Sequence, residues 1–254
     1  MLFSYFCKMK NYIITFYIYI LVLLTSLLIF PFMVLTWLLT LPFDKRLFLL
    51  HRFSCYWASL YTWANPWWKV KIENREKINT DKTYIIASNH QSVLDILVLY
   101  RLMVHFKWVS KIENFRIPVI GWNMRMNRYI KVRRGDKESI ARMMEACKKN
   151  LDSGSSVMIF PEGTRSLNGT IGKFKEGAFI LAKETGRPLL PVILDGSGEA
   201  LPKKGILLRK KQLIRVKVLD EMFYDQTHEN SVKQFSEIVH SRMVIELDKM
   251  RADN

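Results

Sequence analysis

The sequence predicts an α/β protein: a single domain with a mixed sheet flanked by helices, preceded by an N-terminal membrane-anchoring helix or helical hairpin. Two observations support this class. Across residues 44–254, short apolar segments with strand character alternate with longer amphipathic segments, as in α/β domains. Before them, residues 11–43 contain no charged side chain. We therefore divide the 254-residue chain into an anchor, residues 1–43, and a domain, residues 44–254.

The uncharged N-terminal segment is long enough to cross a bilayer. As one straight helix its 33 residues would extend about 50 Å, compared with ~30 Å of hydrocarbon. Pro31 offers a natural break between Asn11–Phe30, which has spanning length, and Phe32–Phe43, which is too short. A tilted or kinked single span and a helical hairpin are both open, and basic residues at both flanks favour the hairpin.

An aromatic segment follows the anchor. Amphipathic aromatic rings favour the boundary between membrane and water. The pattern predicts an interfacial segment at residues 52–68, with packing in an ordinary core as the alternative. The aromatic residues in this segment are Phe53, Tyr56, Trp57, Tyr61, Trp63, Trp67 and Trp68.

Charge and cysteine content narrow the range of partners. Lys and Arg outnumber Asp and Glu by 39 to 23, which gives a formal net charge of +16 and favours polyanionic partners. Nucleic acid is not expected among them, because the basic residues are scattered and no nucleic-acid-binding motif occurs. Cys7, Cys55 and Cys147 show neither a disulfide framework nor metal-ligand spacing, which favours a reducing, cytoplasmic environment without a bound metal.

The domain contains a regular series of predicted elements. Apolar and alternating patterns predict strands, and amphipathic patterns ended by Gly or Pro predict helices. The predicted strands are Lys69–Ile72, Thr83–Ser88, Phe106–Ser110, Arg128–Val132, Ser156–Phe160, Leu189–Leu194 (a central strand) and Gln212–Leu219. The predicted helices are Ser92–Met103, Lys137–Leu151, Glu176–Thr185 and Ser231–Met250.

The first candidate site lies where the second of these strands becomes a helix, at Asn-His-Gln-Ser-Val-Leu-Asp, residues 89–95. Such strand ends commonly carry active sites in α/β proteins. If Ser92 is the N-cap, His90 precedes the helix and Asp95 lies in its first turns. Asp95 can then accept a hydrogen bond from one imidazole nitrogen, which leaves the other free to take a proton from an alcohol.

The second candidate site is Phe-Pro-Glu-Gly-Thr-Arg-Ser, residues 160–166, which follows a buried strand at the same predicted sheet edge. Gly163 allows close approach of the backbone, Thr164 can donate a hydrogen bond and Arg165 can bind a phosphate through two. Glu162 is expected to orient the loop or to pair with a local base, rather than to contact the phosphate.

The third candidate is the basic strand end at residues 129–136. Strand alternation places Lys131 and Arg133 on one face. Arg133 could reach the same pocket as Arg165, whereas Lys131 and Arg134 also fit a solvated run of charge.

These motifs resemble those of the glycerolipid acyltransferases, specifically the 1-acyl-sn-glycerol-3-phosphate acyltransferase family. Residues 89–95 match its Asn-His-x4-Asp block, Arg133 matches the arginine that ends its second block, and residues 160–166 match its third block throughout. Leu190-Pro191-Val192-Ile193 matches a fourth, apolar block. The resemblance runs from about residue 45 to residue 215. Asn127 stands where the family usually has glycine, so Arg134 could share or replace the role of Arg133.

The resemblance implies transfer of a fatty acyl group to the sn-2 hydroxyl of lysophosphatidic acid, giving phosphatidic acid in phospholipid biosynthesis. The donor would be acyl-CoA or acyl carrier protein, with no metal or other cofactor. His90 would act as general base and Asp95 would orient it. Membrane lipids are expected partners, and the catalytic domain is expected on the cytoplasmic side of the membrane. The residues implied in substrate binding are Arg133, Arg134, Glu162, Gly163, Thr164 and Arg165.

Three rival functions are open from the sequence. An acyltransferase for another lyso-lipid, such as a lyso-ornithine or lyso-glycine aminolipid, would use the same base and direct the arginines to a carboxylate. A non-enzymatic protein that binds membranes or nucleic acid would explain the charge but not the motifs. A serine hydrolase is disfavoured because Gly196-Ser197-Gly198 lacks the Gly-x-Ser-x-Gly frame.

Overall fold

The computed structural model describes residues 2–203, 208, 212–224 and 231–252 of the chain. Its strands are β1 (Trp68–Glu73), β2 (Ile85–Ser88), β3 (Phe106–Lys111), β4 (Ile130–Val132), β5 (Ser156–Ile159), β6 (Leu189–Asp195) and β7 (Gln212–Val218). Its helices are α1 (Leu2–Thr40), α2 (Phe48–Trp63), α3 (Leu94–Tyr100), α4 (Ile120–Met126), α5 (Lys137–Asp152), α6 (Gly177–Thr185), α7 (Ser197–Ala200) and α8 (Val232–Ala252). Short 3-10 helices occur at Arg75–Lys77 and Ile112–Arg116.

The strands form one seven-stranded sheet in the order β1-β7-β6-β2-β5-β3-β4. The sheet is mixed, as predicted: β6 and β7 are antiparallel, whereas the other neighbouring pairs are parallel. The five strands from β6 to β4 therefore point the same way, and their carboxyl ends lie along one edge. The segments that follow β2 and β5 are neighbours at this edge, although His90 and Glu162 are 72 residues apart.

Helices cover both faces of the sheet, as the apolar sequences of its parallel strands require. In β2, Ile86 belongs to a core that includes Val98 of α3, whereas Ile85 belongs to a second core that includes Phe179 of α6. This alternation sends successive β2 side chains to opposite faces. β6 is buried along its whole length, which confirms the prediction of a central strand there.

Helix α1 continues through Pro31, so the break predicted at this residue does not form. Of the two arrangements open from the sequence, the described N-terminal segment adopts a continuous helix and not a hairpin. A proline inside a helix costs ~3 kcal/mol, because it removes one backbone hydrogen bond and crowds the preceding turn. Packing on α2 offsets this local cost. Met33 is buried with Leu50 of α2, and Thr25 Oγ1 lies 2.9 Å from the Tyr61 hydroxyl.

Helix α1 also shares a core with the α/β domain. Ile14 and Ile18 are buried in the same cluster as side chains of the sheet. The backbone N–H of Leu208 donates to Thr15 Oγ1 over 2.9 Å. The division at residue 43 thus falls in the turn between α1 and α2, and the two parts are joined by continuous packing on either side of it.

The predicted interfacial segment, residues 52–68, lies mainly on α2 and divides between core and surface. Trp57, Tyr61 and Trp68 are buried, as in the alternative of ordinary core packing. Tyr56 and Trp63 are about half exposed, at 51% and 50%. Contact of this segment with a membrane stays a prediction that concerns the exposed rings.

The predicted strands and helices are all present, with ends that differ by a few residues. The largest difference concerns Ser92–Met103, where α3 extends only from Leu94 to Tyr100. The N-cap is Val93, one residue after the predicted cap Ser92, whose Oγ still accepts a hydrogen bond from the Leu94 N–H at 3.2 Å. α2 was predicted only as an aromatic interfacial segment and not as a helix. α4 and α7 were not predicted, since helices of seven and four residues are too short to show a periodic pattern.

Candidate active site

His90 and Asp95 form a hydrogen-bonded pair directly after β2. His90 Nδ1 lies 2.7 Å from Asp95 Oδ2. The Asp95 side chain is fully buried, and that of His90 is 13% exposed. An ionised carboxylate can only accept, so we assign the proton of the imidazole to Nδ1. Nε2 is then left with a lone pair that can take a proton from a substrate.

Backbone N–H groups hold the Asp95 carboxylate in place. The N–H groups of Gln91 and Ser92 donate to Oδ2 over 2.6 and 2.9 Å. These bonds arise because residues 90–92 bend across the start of α3 before the helix begins. The five-residue separation between His90 and Asp95 therefore brings their side chains together only in this turn, where, as predicted, His90 precedes the helix and Asp95 lies in its first turn.

Glu162 connects the two main motifs through backbone contacts. Its Oε1 accepts from the His90 N–H over 2.8 Å, and its Oε2 accepts from the Gly172 N–H over 2.8 Å. Burial raises the pKa of Glu162, and the two N–H donors oppose that rise. The contacts are those of a residue that orients the loop, the first of the two roles expected for it.

The side chain of Phe160 fixes the plane of the imidazole. The rings of His90 and Phe160 are stacked, with centroids 4.0 Å apart and planes 11° apart. Trp108 stacks behind Phe160 at 5.6 Å. The Ser166 N–H also donates to the His90 carbonyl over 2.7 Å. Both ends of the second motif therefore contact the residue predicted to be the base.

Asn89 joins the end of β2 to the end of β6. The backbone N–H of Leu194 donates to Asn89 Oδ1 over 2.7 Å, and Asn89 Nδ2 donates to the Leu194 carbonyl over 2.8 Å. The ladder between these strands ends at Ser88 and Val192, so the asparagine side chain extends the pairing beyond the strands. An amide is suited to this position because it offers one donor and one acceptor.

The loop at residues 163–165 is surrounded by cations. Gly163 has φ +68°, a conformation that favours glycine, and a Cβ atom there would lie 2.9 Å from Cε at the flexible end of Lys175. Lys203 Nζ donates to the Arg165 carbonyl over 2.5 Å and lies 3.4 Å from Thr164 Oγ1. This arrangement suits a phosphate, because Arg165, Lys175 and Lys203 bring three positive charges to one turn.

Arg133 and Arg134 lie farther from this turn than the sequence suggested. They follow β4, and β3 lies between β4 and β5, which places the two strand ends about 10 Å apart. The Arg133 side chain is mostly exposed, and its Nη1 lies 3.8 Å from Asp136 Oδ2. Arg134 is exposed as well. The structure thus brings Glu162 to His90 directly, whereas Arg133 or Arg134 would have to extend across β3.

Lys111 is the basic residue that ends the intervening strand. It is the last residue of β3, the strand next to β5, and its side chain is 43% exposed with Nζ 3.3 Å from Glu113 Oε1. The strand-end rule that singled out His90 could have found it, because it follows the predicted strand Phe106–Ser110. Other residues of the site that sequence reasoning missed are Lys175, Ser197 and Lys203. Asn89, Gln91 and Phe160 lay inside the candidate motifs, but the sequence assigned them no role.

Among the described residues, no group of three or more His, Cys, Asp and Glu side chains is arranged to hold a metal ion. Cys55 and Cys147 are buried free thiols, and burial raises the pKa of each to about 12. The side chain of Cys7 lies outside the part of the chain that the structure describes.

The fold and this site indicate a class of protein, and comparison with known proteins identifies the same class. Residues 69–195, half of the chain, match the family model described as Acyltransferase. The chain belongs to this acyltransferase family, which confirms the resemblance seen in the motifs.

Individual relatives have names that specify an activity more closely than the family model does. A 1-acyl-sn-glycerol-3-phosphate acyltransferase of Chlamydomonas reinhardtii is 39% identical over 181 residues, which cover 70% of this chain and 54% of the relative. A chloroplastic enzyme of the same name from Arabidopsis thaliana is 41% identical over 160 residues, or 62% of this chain and 44% of the relative. The chain spans about half the length of these curated relatives.

The fold is shared with a solved structure over nearly the whole chain. The crystal structure of the 1-acyl-sn-glycerophosphate acyltransferase from Thermotoga maritima superposes with a TM-score of 0.80. It covers 97% of this chain and 98% of that protein, at 22% identity. The predicted fold class, including an N-terminal apolar helix, is therefore confirmed.

Proposed function

We propose that the protein is a 1-acyl-sn-glycerol-3-phosphate acyltransferase, which transfers a fatty acyl group from a thioester to the sn-2 hydroxyl of lysophosphatidic acid. One observation carries the proposal: a base with a free lone pair, His90 Nε2, adjoins a turn that holds three cations. The names of the relatives support this choice of acceptor. Acyl-CoA and acyl carrier protein both supply the required thioester.

His90 and Asp95 can carry the proton transfers that the reaction requires. The acceptor hydroxyl oxygen attacks the thioester carbonyl carbon while its proton passes to His90 Nε2. Asp95, bonded to Nδ1, stabilises the imidazolium that results. When the carbon–sulfur bond breaks, the thiolate leaves and takes the proton from His90. No covalent enzyme intermediate is required, because the two bound substrates react directly.

The acceptor phosphate would lie at the turn Glu162-Gly163-Thr164-Arg165. Arg165 offers a guanidinium that can form two parallel hydrogen bonds to phosphate oxygens. Glu162 would shape the turn through His90 and Gly172 without touching the phosphate. A further cation would come from the neighbouring strand ends, where Lys111, Arg133 and Arg134 are the candidates.

We also propose that the protein is bound to a membrane, with its catalytic domain on the cytoplasmic side. The segment Asn11–Thr40 contains an 18-residue window with a mean hydropathy of 2.7 and is long and apolar enough, by length and composition, to cross a bilayer. Only 11% of that window is buried within the protein. Membrane attachment suits the reaction, since acceptor and product are both lipids. The free thiols of Cys55 and Cys147 support a reducing compartment.

The proposal is tested by an acyl transfer assay with purified protein. Acyl-CoA and acyl carrier protein are offered in turn against lysophosphatidic acid, other lysophospholipids, and lyso-ornithine and lyso-glycine aminolipids. We expect phosphatidic acid as the main product with at least one donor. Preferred acylation of an aminolipid, which has no phosphate, would instead assign the cations to a carboxylate and refute the proposed acceptor.

A further inference from the structure

We propose that Ser197 is a positioning residue that fixes the Asp95 carboxylate and, through it, the orientation of His90. The two oxygens of Asp95 have different surroundings. Oδ2 accepts from His90 Nδ1 and from the N–H groups of Gln91 and Ser92. Oδ1 accepts a short hydrogen bond from the Ser197 hydroxyl.

The backbone holds Ser197 where its hydroxyl meets Asp95. β6 ends at Asp195, and Gly196 turns the chain with φ +84°. A Cβ atom at Gly196 would collide with the carbonyl oxygen of Leu213 in β7, so only glycine fits this turn. Ser197 follows as the first residue of α7 and is fully buried. Its position is therefore set by the packing of β6 against β7 and does not depend on a mobile loop.

A second set of contacts holds Asp95 and Ser197 to the same strand ends. The side chain of Gln91 donates through Nε2 to the Leu194 carbonyl over 3.1 Å. Asn89 exchanges two hydrogen bonds with the backbone of Leu194. The segment that carries His90 is thus tied to the end of β6 only a few residues before Ser197. Sequence separation hides this relation, because Ser197 and Asp95 are 102 residues apart.

The chemical role follows from the burial of Asp95. A buried carboxylate oxygen without a partner is costly, and a carboxylate held through one oxygen is less firmly oriented about its Cβ–Cγ bond than one held through both. With Ser197 in place, Oδ1 is satisfied and Oδ2 stays directed at Nδ1. Without it, the bond to Nδ1 becomes bent just as the imidazole takes up positive charge. Ser197 faces Asp95 and not a substrate, so its loss should slow turnover and leave substrate affinity nearly unchanged.

This inference rests on the proposed function, and a set of variants separates the two. Ser197→Ala is compared with Asp95→Asn, with the double variant and with Ser54→Ala. The last removes a buried serine hydroxyl that is bonded to Leu50, Asn123 and Asn127 instead. We expect Ser197→Ala to lower kcat about 10-fold or more, the worth of one hydrogen bond to a charged group, and to change each KM less than about twofold. Ser54→Ala should keep the kcat of the wild type.

The double variant distinguishes positioning from a general structural effect. If Ser197 acts through Asp95, adding Ser197→Ala to Asp95→Asn lowers kcat no further. Ser197→Cys, of similar size with a weaker donor, should be intermediate, and it replaces Ser197→Ala if thermal melting shows that the alanine variant does not fold. Independent, multiplicative losses, or wild-type kcat in Ser197→Ala, would overturn the inference. Wild-type kcat in Asp95→Asn would instead overturn the proposed mechanism itself.

Discussion

At the turn of the second motif, one residue contributes its charge and another contributes its backbone conformation. Arg165 brings charge, whereas Gly163 allows the backbone to adopt φ +68° beneath Lys175. These contributions differ in the quantity they affect. Charge should govern the binding of the acceptor, and conformation should govern both the fold of the turn and the placement of its N–H groups.

Replacement of Arg165 tests the charge. Arg165→Ala should raise KM for lysophosphatidic acid about 10- to 150-fold, the worth of a charge-assisted hydrogen bond, with a smaller effect on the donor. Arg165→Lys should restore only part of the loss, since the point charge is kept and the two parallel bonds are not. Steady-state kinetics with each substrate varied in turn measure both. An effect confined to the donor KM would assign Arg165 to the carrier's phosphates.

The same kinetics identify which basic residue binds the acceptor phosphate together with Arg165. Lys111 ends the strand next to β5, whereas Arg133 and Arg134 follow the strand beyond it. We therefore expect Lys111→Ala to raise the acceptor KM more than Arg133→Ala or Arg134→Ala does. A larger effect of Arg133→Ala would restore the assignment drawn from the motif. A larger effect of Arg134→Ala would show that the alignment at Asn127 is displaced by one residue.

Replacement of Gly163 tests the conformation. Gly163→Ala forces a Cβ into the left-handed region, which should cost about 1–2 kcal/mol of stability. Gly186 at the end of α6 provides a matched control, because it has φ +62° and a Cβ atom added there would meet no other atom within 4 Å. Both alanine variants should lose similar stability in denaturant unfolding. Only Gly163→Ala should also raise the acceptor KM, and equal kinetics for the two variants would contradict a role for this turn.

At the scale of elements, α1 has two faces with different partners. Ile14, Ile18 and Met33 are buried against the rest of the protein, whereas Leu27 and Leu28 are 65% and 67% exposed. Deletion of residues 1–43 would therefore remove part of the core as well as the apolar surface. Substitution of exposed leucines separates these two effects better than truncation does.

Polar substitutions on the exposed face of α1 should weaken membrane binding alone. Leu27→Gln together with Leu28→Gln should lower co-sedimentation with liposomes and turnover of bilayer lysophosphatidic acid. Melting temperature and turnover of detergent-dispersed acceptor should stay near wild type, because neither side chain is buried. Equal turnover of bilayer and dispersed acceptor in this variant would show that the face is not needed for access to the substrate.

Attachment of α8 to the sheet should depend on pH. Glu246 Oε2 lies 2.8 Å from Lys217 Nζ of β7, and Lys217 and Lys249 lower the pKa of Glu246 from 4.5 to about 2. A carboxylate with a lowered folded-state pKa stabilises the fold above pH 4.5, and that stability is lost as pH falls towards 2. After allowance for solvent screening this amounts to about 1 kcal/mol. Unfolding of Glu246→Gln and wild type should converge across this range, and a constant difference would contradict the assignment.

At the scale of the whole molecule, the sequence predicted what depends on nearby residues. The pairing of His90 with Asp95 follows from five positions of chain and one helix start, so it could be derived before the structure was known. The alternating pattern likewise predicted the α/β class and the seven strands found in the described part of the chain. The break predicted at Pro31 is wrong. The sequence shows the local preference of proline to end a helix, but it does not show the packing on α2 that offsets this preference.

Features that depend on strand order could not be derived in this way. β3 precedes β5 in the chain but lies between β5 and β4 in the sheet, which moves Arg133 away from the turn at Arg165. The contact of Ser197 with Asp95 likewise depends on β6 lying beside β2. Both features depend on the order of strands in the assembled sheet, and the periodicity within one segment of sequence cannot predict that order.

The central claim is that His90 is the base that deprotonates the acceptor hydroxyl. The most direct measurement is the rate of phosphatidic acid formation by His90→Ala under saturating donor and acceptor. The matched control is His105→Gln, a histidine at the opposite end of the strands whose Nε2 lies 3.0 Å from Ser155 Oγ. We predict a loss of ~10²–10⁴-fold for His90→Ala with its fold and membrane binding intact, and a rate near wild type for His105→Gln. A His90→Ala rate within a few-fold of wild type would contradict the account.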